Sequence, residues 1–129
     1  MLLISAMETP FRILTVDNEP SVTLSLQYVF RAPRYEVLRA DSGDAALALL
    51  DACSDLFNLI IVDQKMPNLS GVEFVDAIRK RHIPSKIIVL SAHLLPEIRA
   101  TYERMDVHAI FSKPFDLDEL RTAVSQLAA

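Results

Sequence analysis

A chain of 129 residues with 51% hydrophobic and 23% charged residues has the composition of one globular domain, large enough to bury a core, and not of a disordered segment. Thirteen basic residues against seventeen acidic ones leave a net charge of −4, which argues against a surface built to bind nucleic acid directly. The lone cysteine, Cys53, cannot form an internal disulfide, so a reducing compartment and an inert core thiol are expected.

Residues 1–10 read as an N-terminal extension and residues 11–129 as the domain. Met1-Leu2-Leu3-Ile4-Ser5 is too short and uncharged for a signal peptide, and Met7 offers an alternative start. No apolar run approaches membrane-spanning length. A cytoplasmic domain with no membrane contact is expected. Phe11 to Val16 reads as a strand that runs into Asp17-Asn18-Glu19-Pro20. The proline suits a first helical turn, and Val22, Leu24, Leu26, Val29 and Phe30 supply the helix's apolar residues. Tyr35 to Ala40 alternates and predicts a second strand nearer an edge. Ser42 or Asp44 can cap the next helix, with Ala45, Leu47, Leu49, Leu50 and Cys53 facing inward.

Leu59-Ile60-Ile61-Val62 is a continuous apolar run of the kind found in strands buried on both faces, and it ends on Asp63. After a loop from Lys65 to Ser70, Val72, Phe74, Val75 and Ile78 mark a helix from about Gly71 to Arg81. Lys86 to Leu90 is a second buried-type strand, ending at Ser91-Ala92-His93. Pro96 opens a helix to about Met105, and Ala109 to Ser112 is a short strand ending at Lys113-Pro114. Asp116 caps a last helix carrying Leu117, Leu120, Val124 and Leu127. Strand and helix thus alternate five times without internal repeat or linker, and no output domain is expected within these residues. Alternation of this kind implies a parallel sheet with right-handed crossovers. The predicted architecture is an α/β doubly wound sheet of five parallel strands, in the order 2-1-3-4-5, with five helices.

In that order one rim of the sheet receives Asp17-Asn18-Glu19, Asp63, Ser91 and Lys113. Each alone has a plain structural role open to it: a cap cluster, a turn acid, a turn hydroxyl, a solvated charge. Four polar groups at the same ends of four adjacent strands are harder to dismiss. Clustered carboxylates suit a hard divalent cation, Mg²⁺ above all when phosphate oxygens complete its shell. A carboxylate can also attack phosphorus, and the phosphoryl group it receives needs cations such as the Lys113 ammonium, with a small hydroxyl such as Ser91 donating to it.

These residues make the chain resemble the receiver domains of two-component response regulators, from about Arg12 to Leu127. The resemblance rests on Asp17-Asn18-Glu19-Pro20, Asp63 with Met66-Pro67 and Gly71, Ser91-Ala92, and Lys113-Pro114-Phe115. It implies a flavodoxin-like fold and phosphorylation of Asp63 by a histidine kinase or phosphotransfer protein. It also implies Mg²⁺ held by Asp17, Asn18, Asp63 and the backbone carbonyl of Lys65. Ser91 would be the switch hydroxyl, and Lys113, ahead of a cis bond to Pro114, would contact the phosphoryl group. The signal would leave through the face of helix 4, strand 5 and helix 5 toward a downstream effector protein or domain, with a homodimer left open. Such a protein is a signalling phosphoacceptor, not an enzyme, apart from its part in its own phosphotransfer and dephosphorylation.

Two positions depart from the family pattern. Asn18 stands where a second acid is usual, and Ile110 where an aromatic is usual, three residues before the lysine; Phe111 should face the other side of the sheet. Both departures favour an alternative, a receiver-like interaction module that never uses phosphate, while Asp63, Ser91 and Lys113 argue against it. An aspartyl-nucleophile phosphatase would place its nucleophile after strand 1 with a second Asp two residues on, and Asp17-Asn18-Glu19 does not supply that. A flavin protein would need a glycine- and hydroxyl-rich phosphate loop there. His82 and His108 read as surface residues, and His93 and Lys65 as rim residues able to tune the site.

Overall fold

The computed structural model describes residues 9–129; the readings of Met1 to Ser5 and of Met7 lie outside the described residues. Five strands and five helices alternate: β1 (Phe11–Val16), α1 (Pro20–Val29), β2 (Tyr35–Ala40), α2 (Gly43–Ala52), β3 (Leu59–Asp63), α3 (Gly71–Lys80), β4 (Lys86–Ser91), α4 (Pro96–Arg104), β5 (Ala109–Ser112) and α5 (Leu117–Ala128). The strands form one parallel sheet in the order β2-β1-β3-β4-β5, as the alternation predicts.

Each central strand buries both faces, which is why it reads as an unbroken apolar run. Leu14, Val16, Ile60, Val62, Ile87 and Val89 face one layer of helices, meeting Ala46 and Leu50 of α2, Phe74, Val75 and Ile78 of α3, and Tyr102 of α4. Ile13, Leu59, Ile61, Ile88 and Leu90 face the other layer, meeting Leu26 of α1 and Leu120 and Val124 of α5. Ile110 packs with the first cluster and Phe111 with the second, as alternation along β5 requires.

Local chemistry sets the helix starts. The Ser42 side chain accepts from Ala45 N–H at the start of α2. Ser70 and Glu73 close a reciprocal capping box on α3. Asp116 accepts from the N–H groups of Asp118 and Glu119 on α5.

Several details differ from the expected pattern. Leu24 is 62% exposed, because α1 turns Thr23, Leu26 and Phe30 inward at spacings of three and four residues. Burial of Thr23 is tolerable since its hydroxyl shares a 2.7 Å hydrogen bond with that of Thr15. In α2 it is Ala46, not Ala45, that is buried with Leu50. Cys53 follows the last turn as the C-cap and is exposed, so it is not a core thiol. Helices α3 and α4 stop one residue short of the expected Arg81 and Met105, which serve as their C-caps.

Candidate functional site

Strand ends of the sheet deliver the site residues to one cleft. Register pairs Val16 with Val62, Asp63 with Leu90, and Ser91 with Ser112, so Asp17, Asp63, Ser91 and Lys113 emerge side by side at the carboxyl edge. The cleft has a volume of 850 Å³, and its lining includes Asn18, Glu19, Asp63, Lys65, Ser91, His93 and Lys113. Lys65 and His93 are exposed at its rim, while His82 and His108 are exposed and absent from its lining.

Asp63 closes β3 and is buried. Its Oδ2 accepts from Lys113 Nζ at 2.8 Å and its Oδ1 from Lys65 N–H at 3.2 Å. Lys113 is therefore not simply a solvated charge: its side chain is 24% exposed and ion-paired to a buried carboxylate. The bond from Lys113 to Pro114 is cis.

Asp17 is buried. Its Oδ1 accepts from Glu19 N–H at 2.6 Å, and its backbone carbonyl accepts from the Arg39 guanidinium at 2.9 Å. Its Oδ2 is buried and has no hydrogen-bond partner among the described residues. Burial above all raises the Asp17 pKa from its usual value; the Glu19 N–H pulls it down, and the negative charge of Asp63 adds to the rise. A buried carboxylate oxygen without a donor, beside a second carboxylate, is a place where a cation would be favoured. Among the described residues no three His, Cys, Asp or Glu side chains form a metal cluster. Two carboxylates with neutral oxygens from the Asn18 amide and the Lys65 carbonyl are nonetheless a donor set that fits Mg²⁺, which readily keeps several waters.

Ser91 is the second such group: its Oγ is buried at the end of β4 without a hydrogen-bond partner among the described residues. A lone hydroxyl facing the same cleft as an acid and a lysine is poised to donate to an incoming oxygen.

Sequence reasoning missed one neighbour. Gln64, next to Asp63, accepts a hydrogen bond at Oε1 from the hydroxyl of Tyr102, which is fully buried in α4. The signal was present in α4, where Ile98, Tyr102 and Met105 recur at spacings of four and three among charged residues. A buried phenol then demands a partner.

Comparison with known proteins assigns the class. A model of the response regulator receiver domain family matches residues 13–125, and the chain belongs to that family. It is 28% identical over 117 residues to sporulation initiation phosphotransferase F of Bacillus subtilis, covering 89% of this chain and 91% of that protein. With the regulatory protein AtoC of Escherichia coli it shares 29% identity over 116 residues, spanning 24% of that longer protein. Among solved structures, the chemotaxis protein CheY4 of Vibrio cholerae superposes with a TM-score of 0.80 at 27% identity, covering 92% of this chain and 98% of the other. The chain is thus a receiver domain of the two-component phosphorelay type. Among the described residues no helix is long and apolar enough to cross a membrane.

Proposed function

We propose that Asp63 is the phosphoacceptor of this receiver domain and that Mg²⁺ assists its phosphorylation. A carboxylate oxygen of Asp63 attacks the phosphorus of a phosphohistidine on a histidine kinase or phosphotransfer protein. The new C–O–P linkage forms as the P–N bond breaks, and the imidazole leaves with a proton. Asp17, Asn18, Asp63 and the Lys65 carbonyl are the residues that would hold the metal. When bound, Mg²⁺ supplies positive charge opposite the phosphoryl oxygens. Lys113, now on Asp63 Oδ2, passes to a phosphoryl oxygen, and Ser91 donates its unused O–H to another. Water attack on phosphorus later breaks the O–P bond, releasing inorganic phosphate and regenerating the carboxylate. The phosphorylated state is read on the face of α4, β5 and α5 by a downstream effector, in the cytoplasm.

The observation that carries this reading is a cleft holding an Asp63–Lys113 ion pair and a buried Ser91 hydroxyl without a partner among the described residues, with a likewise unpartnered buried oxygen of Asp17 at the adjacent strand end. The test is intact-mass measurement with a small acyl phosphate and Mg²⁺. One added phosphoryl group on the wild type, and none on Asp63→Asn, is the expected result. Equal labelling of Asp63→Asn assigns the acceptor elsewhere. An unlabelled wild type favours an interaction module independent of phosphate.

A further inference from the structure

Next to Asp63, three elements that are distant in sequence meet at one point. The Gln64 side chain accepts from the Tyr102 hydroxyl of α4. The Gln64 backbone donates to Leu90 O of β4 at 2.9 Å, and its carbonyl accepts from Gly71 N–H, the first residue of α3, at 3.0 Å. Gly71 has no room for a side chain, since a Cβ there would lie 2.9 Å from Gln64 Cα and also against the Tyr102 hydroxyl. The next peptide along, Lys65 N–H, is bound to Asp63 Oδ1. Tyr102 is fully buried, so its ring has no freedom to follow anything but its own helix and its one polar partner.

We infer that the Tyr102–Gln64 hydrogen bond is the link that carries a change at Asp63 to helix α4. The inference rests on the reading of Asp63 as phosphoacceptor. When Asp63 is esterified, Oδ1 and Oδ2 no longer hold Lys65 N–H and Lys113 as they do in the free protein, and the Lys65 peptide shifts. Gln64 is pinned at its backbone to β4 and α3, so the freedom left to it is at its amide, and that amide holds Tyr102. In the free protein the phenol is a donor, because burial and then the negative charge of Asp63 push its pKa up. Tyr102 and Gln64 are positioning residues that act through the Lys65 peptide; Gln64 lines the cleft beside Asp63, but its amide oxygen is engaged by the Tyr102 hydroxyl.

The test is amide NMR of the whole chain with Mg²⁺, with and without beryllofluoride, on the wild type, Tyr102→Phe and Gln64→Leu. Tyr102→Phe keeps the ring and its packing, and Gln64→Leu keeps the volume at 64, so failure of one to fold leaves the other. In the wild type, beryllofluoride is expected to shift amides around Asp63 and Ser91 and also those of α4, residues 97–104. In each variant the site amides should shift as before, while the α4 response drops by roughly half or more, and the double variant should behave like either single one. A merely structural role would alter the melting temperature and leave the α4 response to ligand intact, which would overturn the inference. So would an unresponsive α4 in a wild type that binds beryllofluoride. A wild type that does not bind it at all overturns the phosphoacceptor reading, and this inference with it.

Discussion

At the scale of single residues, what the site leaves unbonded is as informative as what it bonds. Ser91 Oγ is buried with no partner among the described residues, so removing it forfeits no hydrogen bond to any of them. Ser91→Ala should alter stability by less than about 0.5 kcal/mol in a urea melt, while weakening the response of the partner face to beryllofluoride. Lys113 is the opposite case. Its 2.8 Å pair with Asp63 Oδ2 compensates one of two neighbouring buried acids. Lys113→Ala should cost roughly 1–3 kcal/mol, below the figure for a fully buried pair because the cleft is open to water. In an Asp63→Asn background the same change should cost far less, since the acid that needed the lysine is gone; equal costs in both backgrounds would show that the lysine stabilises the fold by packing alone.

Among the elements, the C-terminal end of α3 is held by a residue that the sequence did not single out. Arg79 Nε donates to Met105 O at 2.9 Å and Nη2 to Asp106 O at 2.9 Å, while Nη1 reaches Ile83 O and Ser85 O at 3.2 and 3.3 Å. One guanidinium therefore fixes the α3–β4 and α4–β5 turns together. A planar fork with five donors can do this and an ammonium cannot. Arg79→Ala should destabilise by about 2–3 kcal/mol, and Arg79→Lys should recover less than half of that in the same melt. The elements themselves were legible in the sequence. Strands buried on both faces read as runs such as Leu59 to Val62, and the caps Ser42 and Asp116 carry their own chemistry. Helix faces were less legible. Apolar residues lie on both sides of α1 and α2, so pattern alone favoured Leu24 over Thr23 and Ala45 over Ala46. Contacts such as Tyr102 to Gln64, or Arg79 to the carbonyls of Met105 and Asp106, join residues far apart in the chain and leave no local trace. That the candidate residues would gather at one edge was readable because a parallel sheet sends all its carboxyl strand ends the same way; their pairings, Lys113 with Asp63 above all, needed the geometry.

For the molecule as a whole, the acidic cleft links folding, pH and metal through one residue. An acid whose pKa is raised by burial, as that of Asp17 is, weakens the fold when ionised. That penalty is absent below the unfolded carboxylate pKa of about 4 and complete once the pH passes the raised folded value. Without metal, Asp17→Asn should therefore raise stability at neutral pH, by about 0.5–1 kcal/mol, with the gain fading as the pH falls through the carboxylate range. Mg²⁺, bound as proposed, should reverse the comparison. A cation bound only by the folded state at ten times its Kd adds about 1.4 kcal/mol, or roughly 4–6 °C in Tm for a chain of this size. The wild type should show this rise, and Asp17→Asn should lose most of it, so the two melting curves cross in order as Mg²⁺ is added. Position 18 then grades the effect. Asn18 offers an amide oxygen without charge; Asn18→Asp adds a negative charge beside the ion, but that carboxylate must shed more water and repels Asp17 and Asp63. A net gain near 1 kcal/mol, about fivefold in Mg²⁺ affinity by calorimetry, is the expected balance. If Asn18→Asp leaves the affinity unchanged while Asp17→Asn abolishes it, position 18 is not a ligand, and the ion is held by Asp17, Asp63 and the Lys65 carbonyl with water in the remaining places.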